Sequence, residues 1–327
     1  MPKIFPPLLL LLLCIAHGGR VAPLNGLVLH FYDRNASCPH AEDFVKHLVG
    51  KAWEKDRSVA AALLRLVYSD CLVTGCDASI LLDGKQAEKS AAANRGLRPN
   101  GFQLVDDIKR VMEARCPGVV SCADIINLAA KEAVALAGAP RYPVYTGRRD
   151  GPHSTADSVD LPWPDATWKQ ALAYFESKGL DVLDLGTLLG AHSLGMTHCS
   201  NIQERLYNFN GSGRADPSMD PRYLAQLRKE CPLGRKDDRV YLNPVSGGNY
   251  SFESSYYERV LKHQAVLMVD QQMITTADGV EIAREFAEGF EDLRELFALA
   301  MARMGGLGVL TGAEGEIRRN CRYVNGE

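Results

Sequence analysis

The stretch Leu63–Leu82, LLRLVYSDCLVTGCDASILL, sets the architecture of this chain. It opens with helical spacing: Ala60, Leu63, Leu64 and Val67 recur at i, i+3, i+4 and i+7, so one stripe faces a core while Arg65, Tyr68 and Ser69 share another side. It closes on Asp70, Gly75, Asp77 and Ser79, oxygen donors around a glycine turn flanked by Cys71 and Cys76. With carbonyls such as that of Val73, this set suits calcium better than a transition metal. The spacing is not that of an EF-hand, and a solvated polar turn uses the same residue types.

The 327 residues, 46% hydrophobic and 24% charged, are enough for a large core. A formal net charge of −3 and the absence of a sustained Lys/Arg run argue against a nucleic-acid partner. Met1 and Lys3 precede an apolar run from Leu8 to Ile15 and small or polar residues around Gly18 to Ala22, the pattern of a signal peptide over residues 1–22. That run is too short to cross a bilayer, which needs about 18 or more apolar residues, and no later segment offers such a length. The reading is a secreted, soluble chain over 23–327, acting as a monomer.

Of nine cysteines, Cys14 leaves with the signal, and the remaining even number favours disulfides. A zinc site is the rival, but no close Cys-x-x-Cys pair is present. Asn35, Asn210 and Asn249 each head a glycosylation tripeptide.

Helical periodicity continues over Ala41–Glu54, Phe102–Ala114, Cys122–Ala137 behind the N-cap Ser121, Trp168–Lys178, Val182–Gly190, Pro221–Lys229, Tyr256–Lys262, and two helices between Gly279 and Met304 broken near Gly289. A short helix is expected over Arg205–Asn210. Gly84–Gly101, carrying Glu88 and Asn94, reads as a long loop; Arg141–Asp165 is irregular apart from a short strand at Pro143–Tyr145; Leu233–Phe252 is loop-like; Val269-Asp270 begins a turn. About ten helices and almost no alternating runs predict a mainly α fold.

His192, at the end of an apolar helix in LLGAHSLGMTHC, is either a hydrogen-bonded core residue or a metal ligand. A ligating imidazole needs its other nitrogen held by an acceptor, and Asp270 is a candidate for that role.

These segments together resemble a secretory plant haem peroxidase of the class III type over nearly the whole mature chain. The matching residues are Leu63–Asp83, VSCADI at Val120–Ile125, GRRDG at Gly147–Gly151, LGAHSLG at Leu189–Gly195 and GVLTGAEGEIRRNC at Gly308–Cys321. The resemblance implies a two-lobed helical fold holding one haem b, with His192 as axial ligand and Asp270 its partner, and hydrogen peroxide and small phenolic donors as substrates. It implies disulfides Cys38–Cys116, Cys71–Cys76, Cys122–Cys321 and Cys199–Cys231. It implies a distal calcium on Asp70, Val73, Gly75, Asp77 and Ser79, with Glu88 reaching it through water, and donor contact at Pro162. Arg65 would stabilise charge during O–O cleavage, and Asn94 matches the residue that orients the distal histidine.

The departures are specific. Family members read R-L-H-F-H-D-C where this chain has Arg65-Leu66-Val67-Tyr68-Ser69-Asp70-Cys71, so Ser69 stands at the distal base. A serine hydroxyl is no base near neutral pH, and losing a positioned acid–base costs about 10²–10⁴ in rate. Tyr68 is a packed aromatic or a redox and hydrogen-bonding group at the haem edge. At the second, proximal calcium, Ser193 replaces threonine, and the later loop offers Asn243, Ser246 and Glu253 with Asn for the first Asp; one carboxylate fewer predicts a weakened ion or none. The expectation is a peroxidase of impaired turnover. A non-catalytic haem or apoplastic binding protein, and a disulfide-bonded structural glycoprotein without haem, are the rivals.

Overall fold

Apolar periodicity becomes helix through residues 26–326, the part that the computed structural model describes; the expected signal peptide lies outside them. The α-helices are α1 (Phe31–Arg34), α2 (Ala41–Lys55), α3 (Val59–Cys71), α4 (Pro99–Arg115), α5 (Cys122–Leu136), α6 (Trp168–Ser177), α7 (Val182–Leu188), α8 (Gln203–Tyr207), α9 (Pro221–Glu230), α10 (Ser255–Leu261), α11 (Met268–Gln272), α12 (Ala277–Glu288) and α13 (Phe290–Met304). They form two groups: α2, α3 and α4 pack on α5, while α7 packs on α6, α12 and α13, with α10 against α12. No helix of the described residues is long and apolar enough to cross a membrane.

Helix α5, rich in Ala, Ile and Leu, is the centre of the first group. Every side chain from Cys122 to Ala130 is buried, and Ser121 caps the helix by accepting from the Asp124 N–H at 3.1 Å. The four disulfides join the pairs that the resemblance implied.

Several expectations need correction. The Gly84–Gly101 stretch holds 3₁₀ turns at Glu88–Ser90 and Ala92–Asn94, and α4 starts at Pro99, where proline's fixed φ suits a first helical position. The expected Arg205–Asn210 helix is instead α8 followed by a 3₁₀ turn at Phe209–Gly211. Val269-Asp270 sits inside α11, and the His192 segment, Leu189–Ser193, is a 3₁₀ continuation of α7. Two small antiparallel sheets appear: β1 (Val28–Leu29) with β2 (Tyr145–Thr146), the latter at the end of the expected strand, and β3 (Met196–His198) with β4 (Arg239–Tyr241), the last inside the stretch read as loop.

The GRRDG segment and the chain's end are joined by buried charge. Asp150 accepts from the N–H groups of Cys122 (3.1 Å), Ala123 (2.9 Å) and Arg318 (2.9 Å), so one carboxylate caps α5 and holds the tail. The Arg318 guanidinium, fully buried, donates to the carbonyl of Ala78 at 2.7 Å and to that of Cys321 at 2.7 Å. Arg148 pairs with Asp124 at 2.8 Å, and Asp124 also accepts from the Tyr32 hydroxyl at 2.6 Å. Removing one member leaves the other as an uncompensated buried charge. Asp150→Ala is therefore expected to lower the unfolding free energy by about 3–5 kcal/mol, read as a shift in denaturant midpoint; a midpoint within error of the parent would refute this role.

Candidate functional site

Helix α3 places Arg65 and Tyr68 together, half-buried, with the guanidinium carbon 4.9 Å from the ring centroid. One guanidinium nitrogen of Arg65 donates to the Ala93 carbonyl at 2.9 Å, from the second 3₁₀ turn. Burial raises the Tyr68 phenol above its ordinary value, against the opposing pull of Arg65, so the hydroxyl stays protonated near neutral pH.

Next along the helix, Ser69 is fully buried and its hydroxyl has no partner. Asn94 is buried too. Its amide nitrogen donates to the Glu88 carbonyl at 2.9 Å, while its Oδ1 is left without a donor. Neither of these two buried atoms, Ser69 Oγ and Asn94 Oδ1, has a hydrogen-bond partner.

On the other lobe, the 3₁₀ continuation of α7 carries His192 and α11 carries Asp270. His192 Nδ1 donates to Asp270 Oδ1 at 2.8 Å, since a carboxylate only accepts. That tautomer leaves Nε2 with a free lone pair on a ring that is 28% exposed. Asp270 is itself fully buried, and the Tyr256 hydroxyl donates to the same oxygen at 2.9 Å. Burial, with the Asp270 charge beside it, pushes the Tyr256 phenol well above its ordinary value and keeps it a donor. The segment after His192 lies against α3: a Cβ on Gly195 would stand 3.1 Å from that of Ala61. Pro162 is half-buried in the loop whose Pro164 carbonyl accepts from the Val269 N–H at 3.0 Å, beside Asp270.

The loop after α3 is closed by Cys71–Cys76 and pressed on the chain's end, where a Cβ on Gly75 would collide with the Gly308 carbonyl. Asp70 accepts from the Ala78 N–H at 3.0 Å through one oxygen only; its Oδ1 and both Glu88 oxygens are buried without a well-formed hydrogen bond. Asp77 accepts from the Ser79 N–H at 2.9 Å, and the Val73 carbonyl accepts from Lys178 at 3.0 Å, with one lone pair left. Burial first, and then Asp77, raises the Asp70 carboxyl well above its ordinary value. Burial raises that of Glu88 to about 7. No three His, Cys, Asp or Glu side chains converge as a metal cluster among the described residues, so an ion here would rely on carbonyl and hydroxyl oxygens as well.

The residues expected at the second ion behave differently. The Asn243 amide nitrogen donates to Ser246 Oγ at 2.8 Å and to Ser255 Oγ at 2.9 Å, and its Oδ1 accepts from the Val245 N–H at 3.2 Å. The Ser246 hydroxyl donates to the Ser193 carbonyl at 2.8 Å, and that of Ser255 to Glu253 at 3.2 Å.

Sequence reasoning missed Tyr256, Ser255 and the Ala93 carbonyl. A carbonyl carries no residue signal, and nothing local marks Tyr256 or Ser255 as neighbours of residues 14 and 12 positions away.

The family model described as Peroxidase matches residues 45–289. The chain is 54% identical to "Probable peroxidase 61" of Arabidopsis thaliana over 98% of this chain and 97% of that protein. It is 54% identical to "Probable peroxidase 26" of the same plant, over 92% and 91%, and 41% identical to its "Peroxidase 57", over 90% and 91%. The chain belongs to the peroxidase family, among the plant secretory peroxidases.

The raised Glu88 carboxyl gives a signed pH effect. Its unfolded value is near 4.5 and its folded value about 7, so the folded chain holds the proton more tightly. With a chelator present, this contribution to stability is full below the lower value and is lost as pH rises to the upper one. Glu88→Gln should flatten that part of the stability–pH curve in denaturant titrations; an unchanged slope would count against it.

Proposed function

We propose that this chain is a secreted, haem-binding peroxidase of phenolic donors in which proton transfer on the distal side is crippled. The observation that carries the reading is that Ser69 Oγ and Asn94 Oδ1, on the residues that the resemblance sets at the distal base and at the group orienting it, are both buried without a partner.

The proximal residues fit haem. The His192–Asp270 bond of 2.8 Å fixes the imidazole and makes its other nitrogen more basic, so that His192 would be the residue to hold the haem iron. Haem supplies the redox-active iron on which the family's reduction of peroxide depends. Arg65, held by Ala93, offers a fixed positive charge to an oxygen gaining negative charge. Ser69 cannot take the proton from one peroxide oxygen and return it to the other, because its hydroxyl stays protonated at neutral pH. Tyr68, with its phenol raised by burial, does not supply that base either.

The orphaned oxygens of Asp70 and Glu88, with the carbonyls of Val73 and Gly75, Asp77 and Ser79, suit one calcium ion at the distal loop. Export is supported by the four disulfides and by Asn35, Asn210 and Asn249, all exposed. The same orphan pair favours one second reading, a haem protein that captures a ligand without turnover.

Stopped-flow mixing of the haem-loaded chain with hydrogen peroxide separates them. A Soret band lost in His192→Ala is expected, and Ser69→His should raise the rate of reaction with peroxide by about 10²-fold or more. Ser69→His that binds haem yet stays inert favours the non-catalytic reading. A native chain as fast as Ser69→His overturns the assignment of Ser69, and a folded chain that takes up no haem overturns both readings.

A further inference from the structure

We infer that the Asn243 side chain takes the place of the second calcium ion, so that the proximal lobe of this protein is held by hydrogen bonds and takes no cation there. The donors and acceptors of Ser193, Asn243, Ser246 and Ser255 can be accounted for one by one. Ser193, Asn243 and Ser246 are all fully buried.

The direction of every bond follows from its neighbours. Ser246 spends its only proton on the Ser193 carbonyl at 2.8 Å, so toward Asn243 it can only accept. Ser255 spends its proton on Glu253 at 3.2 Å, so it too accepts from Asn243. The Val245 N–H needs an acceptor and finds Asn243 Oδ1 at 3.2 Å. These three constraints fix the amide orientation, with the NH₂ group facing the hydroxyl oxygens. A hard dication at this place would need six to eight oxygens with lone pairs turned inward. Here the centre is taken by a donor: two N–H groups fill the lone pairs of the very oxygens that an ion would use.

Two groups remain over: the buried Ser193 hydroxyl, which has no partner, and the half-buried Glu253 carboxylate, which receives the Ser255 hydroxyl on one oxygen. One hydroxyl and one carboxylate fall short of the roughly six to eight oxygens that calcium takes. The distal loop shows the opposite pattern, with three carboxylate oxygens buried and unsatisfied on Asp70 and Glu88. The two loops thus differ in kind: one lacks donors, the other supplies its own.

The network also has a place in the site. Ser246 grips the carbonyl of Ser193, the residue next to His192. Asn243 is a positioning residue that acts through Ser246 on the segment carrying that imidazole. None of this requires haem to bind.

Metal content of the purified chain, equilibrated with excess calcium and then desalted, tests it. One calcium per chain is expected, lost in Asp70→Asn. Two per chain, or one that persists in folded Asp70→Asn, overturns the inference. None supports it and sinks the distal-calcium reading instead, so the two fail separately. Should Asp70→Asn not fold, Asn243→Asp decides: a carboxylate cannot donate to Ser246 or Ser255, so this variant should gain one bound calcium per chain, or lose several degrees of melting temperature in a calcium chelator. An Asn243→Asp chain that gains no calcium and melts with the native protein in chelator overturns the inference.

Discussion

The carboxylate of Asp150 is the point on which the arrangement hangs. Its two oxygens receive the first N–H groups of α5 and the backbone of Arg318, while its own backbone bonds Glu316 in both directions, at 2.7 and 2.9 Å. The unpaired donors at a helix start favour a negative charge there. Because α5 is the helix on which α2, α3 and α4 pack, one aspartate sets the first lobe against the end of the chain. Arg318 then reaches the Ala78 carbonyl, so the same hub supports the loop that follows the Arg65 and Ser69 face.

How far the sequence disclosed this depends on the range of the interaction. Long amphipathic segments were legible: α2, α5, α6, α9, α12 and α13 fall where apolar spacing puts them, and Ser121 caps α5 as expected. Strands of two or three residues leave no alternating pattern, which is why β1, β3 and β4 escaped. The five-residue α11 is too short to hold itself in water and exists because it packs, so periodicity had nothing to report. Spacing put Arg65 and Ser69 on one face of α3 and left His192 open between core residue and metal ligand, and only the family resemblance gave these residues and Asp270 definite roles. That Asp270 touches His192 is a contact across 78 positions, and only the fold shows it.

The polar groups around Arg65 and around His192 are met in different ways. Around His192 the imidazole and the buried Tyr256 hydroxyl both donate to Asp270 Oδ1, while Asp270 Oδ2 is buried without a partner. On the distal side Arg65 keeps its carbonyl anchor, yet Ser69 and Asn94 each bury a polar atom with nothing to meet it. An unsatisfied buried group costs about 1–3 kcal/mol.

The hub at Asp150 also bears on the order of events at the ribosome. The α5 N-terminus is capped by residue 150, but residue 150 is itself closed by Arg318, 168 positions later, and Cys122 waits for Cys321, 199 positions later. A nascent chain therefore cannot complete its first lobe when that lobe has been synthesised. Its last few residues act as the closing pin of a structure whose body was translated long before, and a chain that ends early lacks the lock for its opening half.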